Sequence, residues 1–177
     1  VINGYESEIT SAVSGLNGDV ALYSRGEPLS DPDKIEEKLK RTVPEMEDVS
    51  PSFIMQLMVS GPNGPAGGVL EGIDLKRVGS VTGLFKRLAS GRLPEGENEA
   101  VLGAVLAEKV GAVLGQEVRL SLPTVGAEGG DGQGGPRFVS VKVVGTIRLG
   151  MHDLDSKYLF APIASVQNFL SQPGKVT

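Results

Sequence analysis

The chain has 177 residues, 40% of them hydrophobic and 22% charged, a balance that supports a folded core and argues against wholesale disorder. Cysteine and tryptophan are absent and histidine occurs once, which excludes disulfides, thiolate metal sites and cysteine nucleophiles and leaves almost no room for a His-rich metal centre or an ordinary Ser-His triad. A net charge of −5 offers no electrostatic footprint for nucleic acid.

Ile2, Tyr5, Ile9, Ala12, Val13 and Leu16 recur at three- and four-residue steps, which predicts an amphipathic helix over about residues 2–15, ended by Gly15 or Gly18. The chain opens on Val1 without a signal-peptide pattern and reads as an excised or processed piece. Val20 to Ser24 follows as a short strand, and Gly26-Glu27-Pro28 turns the chain. Ser30 is the expected N-cap of a second helix, with Pro32 in its first turn and Asp31 and Asp33 at its positive end. Ile35 and Leu39 share one face of it, and Pro44 stops it.

Residues 49–60, with Phe53, Ile54, Leu57 and Val59, predict a strand that turns at Gly61-Pro62-Asn63-Gly64-Pro65 and returns over Val69 to Leu75 as a hairpin. The Met55 and Met58 pair on this strand reads as core or core edge. Val81 to Ala89 is expected as a short helix ended by Gly91, Ala100 to Leu102 as a strand, and Gly103 to Val110 as a helix capped by Gly111. Val118, Leu120 and Leu122 alternate with Glu117, Arg119 and Ser121, and Val139, Val141 and Val143 alternate with Ser140 and Lys142. Both runs have the period of half-buried strands and are natural partners. Tyr158 to Ala161 adds a short strand, and Pro162 opens a last helix with Ile163, Val166, Phe169 and Leu170 on one face. No window approaches 18 consecutive apolar residues, so no membrane-spanning helix is expected.

Little here suits catalysis. His152 stands beside Asp153 and Asp155, which would suit a general base with a carboxylate partner, as in a soluble hydrolase. A solvated loop histidine is the simpler reading, because no Ser or Cys nucleophile motif accompanies it. Asp153 and Asp155 lack the glycine and glutamate of an EF-hand. Glycine is the compositional outlier, 25 of 177 and about twice the usual share. Neither of the glycine-rich phosphate-loop signatures occurs, however. Six glycines fall between Pro123 and Arg137, in a connection from strand to strand that has no helix N-terminus to hold an anion. That connection is far longer than a hairpin needs, so it reads either as a plain hairpin tip or as a protruding loop that docks a partner.

Several local patterns, taken in order, resemble one family. Asn3-Gly4-Tyr5-Glu6 before a helix resembles the segment that follows the first membrane helix of lipoprotein-releasing (Lol-type) ABC transporter permeases. Gly72-Ile73-Asp74, Leu102-Gly103 with Leu106-Ala107, Gly111 and Gly115-Gln116-Glu117-Val118, then Val144-Gly145-Thr146, are similar to further motifs of that family. Asp155-Ser156 through Phe160 and the helix bearing Gln167 complete the series over residues 3–170. The family lies within the wider MacB-like and FtsX-like permease group.

The resemblance implies an α/β (α+β) extracytoplasmic domain between two membrane helices. Residues 1–60 would form the first segment of a porter-like part, residues 61–149 a β-rich sabre-like insert, and residues 150–177 a second, truncated porter-like segment. It implies no enzyme activity, no catalytic residue, no metal and no cofactor in this domain, with ATP bound by a separate cytoplasmic subunit. The implied partners are a paralogous or identical permease subunit, that ATPase subunit, a periplasmic lipoprotein carrier and the lipoprotein cargo released from the inner membrane, with no nucleic acid. The segment matching the family's carrier-gripping hook comprises Pro123, Thr124, Val125, Gly126, Ala127, Glu128, Gly129, Gly130, Asp131, Gly132, Gln133, Gly134, Gly135, Pro136 and Arg137. The alternative within the same group is the periplasmic domain of a MacB-like efflux permease that meets an adaptor protein.

Overall fold

The computed structural model describes residues 20–24, 26–122 and 137–177. The helix expected over residues 2–15 lies outside them. Val20 to Ser24, expected as a strand, forms no regular element, and among the described residues it has no strand beside it to accept its backbone hydrogen bonds.

Helix α1 spans Pro32–Thr42. Its N-cap is Asp31 rather than Ser30, held in the left-handed region at φ 56° with no side-chain cap. Aspartate tolerates that conformation better than most residues, and Pro32 takes the first helical position, where no N–H is needed. Surface pairs Glu36–Lys40 at 2.7 Å and Glu37–Arg41 at 2.5 Å lie one turn apart along it. The helix has no fully buried residue, and Ile35 and Leu39 are half-buried.

Strands β1 (Ser52–Gly61) and β2 (Gly64–Ile73) make the expected hairpin, in register from Ser52 opposite Ile73 to Gly61 opposite Gly64. The helix expected over 81–89 is replaced by three short pieces: α2 (Val78–Val81), a 3-10 turn (Leu84–Arg87) and strand β3 (Leu88–Gly91). Thr82 and Gly83 break the helix there. The Thr82 hydroxyl accepts from the Leu84 N–H at 3.3 Å, and Leu88 turns extended to pair with a neighbouring strand.

Strand β4 (Glu99–Gly103) leads directly into α3 (Ala104–Val110). Gly103 packs so close to the backbone of Asp155, far along the chain, that a methyl group there would run into the Asp155 carbonyl. Gly111, at φ 71°, ends α3 in a Schellman arrangement, its N–H donating to Glu108 O at 3.1 Å while Ala112 N–H donates to Ala107 O at 2.8 Å. Strands β5 (Glu117–Leu122) and β6 (Arg137–Ile147) pair antiparallel from Glu117 opposite Lys142 to Leu122 opposite Arg137, as their alternation predicts. The chain then forms α4 (His152–Asp155), β7 (Tyr158–Pro162) and α5 (Ile163–Leu170).

The pairings close on themselves. β1 pairs with β2, β2 with β7, β7 with β4, β4 with β6, β6 with β5, and β5 again with β1. Two of these ladders, β2–β7 and β4–β6, are parallel, and β3 is added to the second half of β6. Successive residues of one strand face opposite sides, so the sheet serves two cores. Leu70, Leu102, Leu120, Val141, Val143 and Leu159 join Leu106 of α3 and Val166 of α5 on one side. Ile73, Val101, Val144, Ile147 and Phe160 join Val78 and Leu84 on the other. Each large side chain that is fully removed from water contributes about 1.5–3 kcal/mol. Residue 61 lies at the β1–β2 turn and residue 149 just after β6, so one sheet runs across both expected segment boundaries.

Candidate functional site

The hairpin of β5 and β6 carries the segment singled out in the sequence. Pro123 to Pro136 lie outside the described residues, and the strands on either side show where they emerge. Leu122 and Arg137 are a cross-strand pair, so the fourteen residues between them join two strands already in register. Arg137 is exposed and its guanidinium donates to the Ser171 hydroxyl at 2.9 Å, tying the hairpin base to the C-terminal end of α5. As the partner of buried Leu122, Arg137 belongs to the inner side of the strand.

The next residue faces the other way. Phe138 is 60% exposed, with Ser121 opposite it, and Ser121 stands opposite Met58 on β1, which is 43% exposed. Met58 in turn stands opposite Gly67 of β2, which presents no side chain. Directly opposed residues share a face, so these four form one row across the outside of the ring. The Arg119 guanidinium lies 5.8 Å from the centre of the Phe138 ring, within cation–π range. An aromatic ring, a thioether and an arginine are the side chains enriched in protein interfaces. The row thus puts apolar surface at the described base of the hairpin, beside Leu122 and Arg137. Neither Phe138 nor Met58 stood among the site residues expected from sequence. Met58 is not core: the alternation of β1 puts it outside while Leu57 and Val59 are buried. The readable signal was Phe138 on the same strand face as Ser140 and Lys142.

A second feature lies between α1 and the sheet. A groove of about 690 Å³ is lined by apolar side chains that include Ile35, Leu39, Ile54, Ile73 and Val78. Glu71 of β2 projects there in a row with Ile54 and Phe160 and is only 7% exposed. Its Oε2 has no hydrogen-bond partner among the described residues, and burial pushes its carboxyl up to about 7. The Tyr158 phenol is raised as well, first by burial and then by the nearby Glu71 and Tyr23. Arg77, at the rim, is committed elsewhere, to Glu36 at 2.6 Å, Asp74 at 3.3 Å and Asp33 at 3.6 Å.

The residues considered for hydrolysis do not converge. His152 is exposed at the start of α4, and Asp153 is exposed next to it. Asp155 is buried and its Oδ1 accepts the Leu149 N–H at 2.6 Å, a contact that holds the β6–α4 connection. Among the described residues no group of three or more His, Asp or Glu side chains is placed to hold a metal ion. No described helix is long and apolar enough to cross a membrane.

The profile of the MacB-like periplasmic core domain matches residues 1–176, nearly the whole chain. The chain belongs to that family. It is accordingly an extracytoplasmic domain of an ABC-type transporter permease. Its fold is similar to that of the periplasmic region of MacB from Actinobacillus actinomycetemcomitans, at TM-score 0.56 and 17% identity, covering 96% of this chain and 76% of that one. It is similar to the same degree, TM-score 0.56 and 17% identity, to the extracellular domain of the noncanonic ABC-type transporter YknZ from Gram-positive bacteria, covering 84% of this chain and 70% of that one. No curated protein matches the chain. The α/β class expected from sequence is the class of this MacB-like fold.

Proposed function

We propose that this MacB-like domain serves a lipoprotein-releasing permease and presents the β5–β6 hairpin to a periplasmic lipoprotein carrier. The observation that carries the reading is the row in which exposed Met58 and Phe138 are joined through half-buried Ser121 at the base of a fourteen-residue connection. A connection of fourteen residues is far longer than a hairpin needs, and the row at the hairpin base supplies the apolar anchor that the connection's own composition lacks. Glycine-rich segments lose entropy when they order on a partner, so a fixed anchor beside them raises affinity. The domain is non-catalytic in this reading. ATP is bound by a separate cytoplasmic subunit, and a second permease subunit, paralogous or identical, completes the transporter that lifts its lipoprotein cargo from the inner membrane. Residues 61–149 act as the sabre-like insert between porter-like segments 1–60 and 150–177, all built on one shared sheet.

The likeness to MacB favours a second reading, in which the same surface meets the adaptor protein of an efflux system. One experiment separates the two. The wild-type chain, a variant lacking residues 126–135, and Phe138→Ala are each presented to the cognate carrier and to the cognate adaptor in a pull-down. Carrier capture that both variants lose supports lipoprotein release. Adaptor capture that both lose supports efflux, and capture unaffected by either change removes the hairpin from the function.

A further inference from the structure

The net charge of −5 hides a local excess of the opposite sign. Beneath β3, at the far end of β6 from the hairpin base, a concavity of about 530 Å³ is lined by Lys86, Arg87 and Arg148 together with Ser90 and Thr146. Several other cations of the described residues are paired: Lys34, Lys40, Arg41, Arg77 and Arg92 each have a carboxylate within 4.0 Å. Among the described residues none of the three in this concavity does, and Glu99, at the start of the neighbouring strand β4, is already taken by Arg92.

The arrangement is held by the fold. Arg148 N–H donates to the Arg87 carbonyl at 2.9 Å, so the backbones that carry the two arginines are bonded neighbours. The Arg87 guanidinium gives one Nη to the Leu149 carbonyl, which fixes its plane and leaves its other donors free of that contact. The Ser90 and Thr146 hydroxyls stand 2.7 Å apart, sharing one hydrogen bond, so the pair keeps a second O–H to offer a ligand. Two guanidinium forks, an ammonium and a hydroxyl around one hollow match the oxygens of a phosphate group in charge and in donor geometry.

We propose that this concavity is a binding site for a phosphate-class anion, a phosphomonoester or phosphodiester, with Lys86, Arg87 and Arg148 as its charged ligands and Ser90 or Thr146 as a hydroxyl donor. The site lies apart from the hairpin row and stands whether or not the carrier reading holds. The source of the phosphate is either a soluble phosphorylated compound or the headgroup of an anionic lipid.

The test uses the full chain with two probes: inorganic phosphate, followed by NMR of the arginine Nε–H resonances, and co-sedimentation with phosphatidylcholine vesicles with and without phosphatidylglycerol. Lys86→Gln with Arg148→Gln is the site variant, chosen because both side chains are exposed and Arg87 bonds to the backbone. Lys38→Gln with Lys109→Gln removes the same charge elsewhere on the surface and is the control. Saturable binding that falls at least tenfold in the site variant and stays at the wild-type level in the control supports the site. Response to phosphate in solution assigns a soluble ligand, and response only to phosphatidylglycerol vesicles assigns a headgroup. No saturable binding of either probe, or an equal loss in the control, overturns the proposal.

Discussion

Replacing Glu71 by glutamine should abolish a pH dependence that the wild-type fold carries between mildly acidic and mildly basic solution. The Glu71 carboxyl titrates near 7 in the folded chain against 4.5 in an exposed chain, because burial disfavours its charge. The sign runs against the usual carboxylate case. Between those two values the folded state holds the proton and the unfolded state has released it, so stability falls as pH rises through that window and levels off above about 7. At about 1.4 kcal/mol per pKa unit, the cost is under about 1 kcal/mol at pH 5 and roughly 3 kcal/mol at pH 8. Glutamine keeps the shape and cannot ionise. The stability difference between Glu71→Gln and wild type should therefore shift by about 2–3 kcal/mol in favour of the variant between pH 5 and pH 8. Urea unfolding at several pH values, with the slope m checked for constancy, measures it. A difference that stays flat over that range would show that Glu71 is not desolvated in the fold, and the account of the groove would fail with it.

Glu99 should show the opposite sign. The Arg92 guanidinium, at 2.8 Å, and the Glu95 and Gly96 N–H groups, at 2.9 and 3.0 Å, hold its carboxyl down near about 2. Its stabilising contribution is complete above about 4.5 and is lost as pH falls toward about 2, so Glu99→Gln should be less stable than wild type at pH 6 and close to it at pH 2.5 by thermal melting. Leu102→Ala, at a fully buried site on β4, should cost about 2–5 kcal/mol in chemical denaturation; a loss below about 1 kcal/mol would mean the ring's core repacks freely. Gly103→Ala should destabilise through its clash with the Asp155 carbonyl and slow expression of folded protein, and an unchanged melting temperature would contradict that approach. Phe138→Ala should leave stability within about 0.5 kcal/mol of wild type, since most of the ring is in solvent; a larger loss would make it a fold residue instead of an interface one.

The elements that were legible in the sequence are those whose signal is local. Val118, Leu120 and Leu122 alternate strictly, and so does the run from Val139 to Val143, and the two strands pair where that pattern puts them. Pro62 and Asn63 between two apolar runs fixed the β1–β2 hairpin. Closure of the ring was not legible, because the β2–β7 and β4–β6 ladders join residues far apart in the chain and leave no periodic mark. Leu88 and Ala89, expected as the end of a helix over Val81 to Ala89, open β3 instead, because the instruction to be a strand comes from β6. Glu71 looks in sequence like any solvent-facing strand position, and the groove it projects into is lined by segments from distant parts of the chain. In the candidate site, the glycine-rich tip stood out by composition. Met58 and Phe138 did not, since they are eighty positions apart and meet only through Ser121.

The closed ring has a mechanical consequence. β5 is laddered to β1 and β6, and β6 is laddered in turn to β4. A pull on the hairpin tip along its strands therefore loads these ladders in shear, where many hydrogen bonds must give way together. A hairpin on an open sheet edge can be peeled, one bond at a time. β3 is the exception: it is held to β6 near Leu88, Ser90 and Gly91, no described residue pairs with its other edge, and it is the strand that tension would strip first.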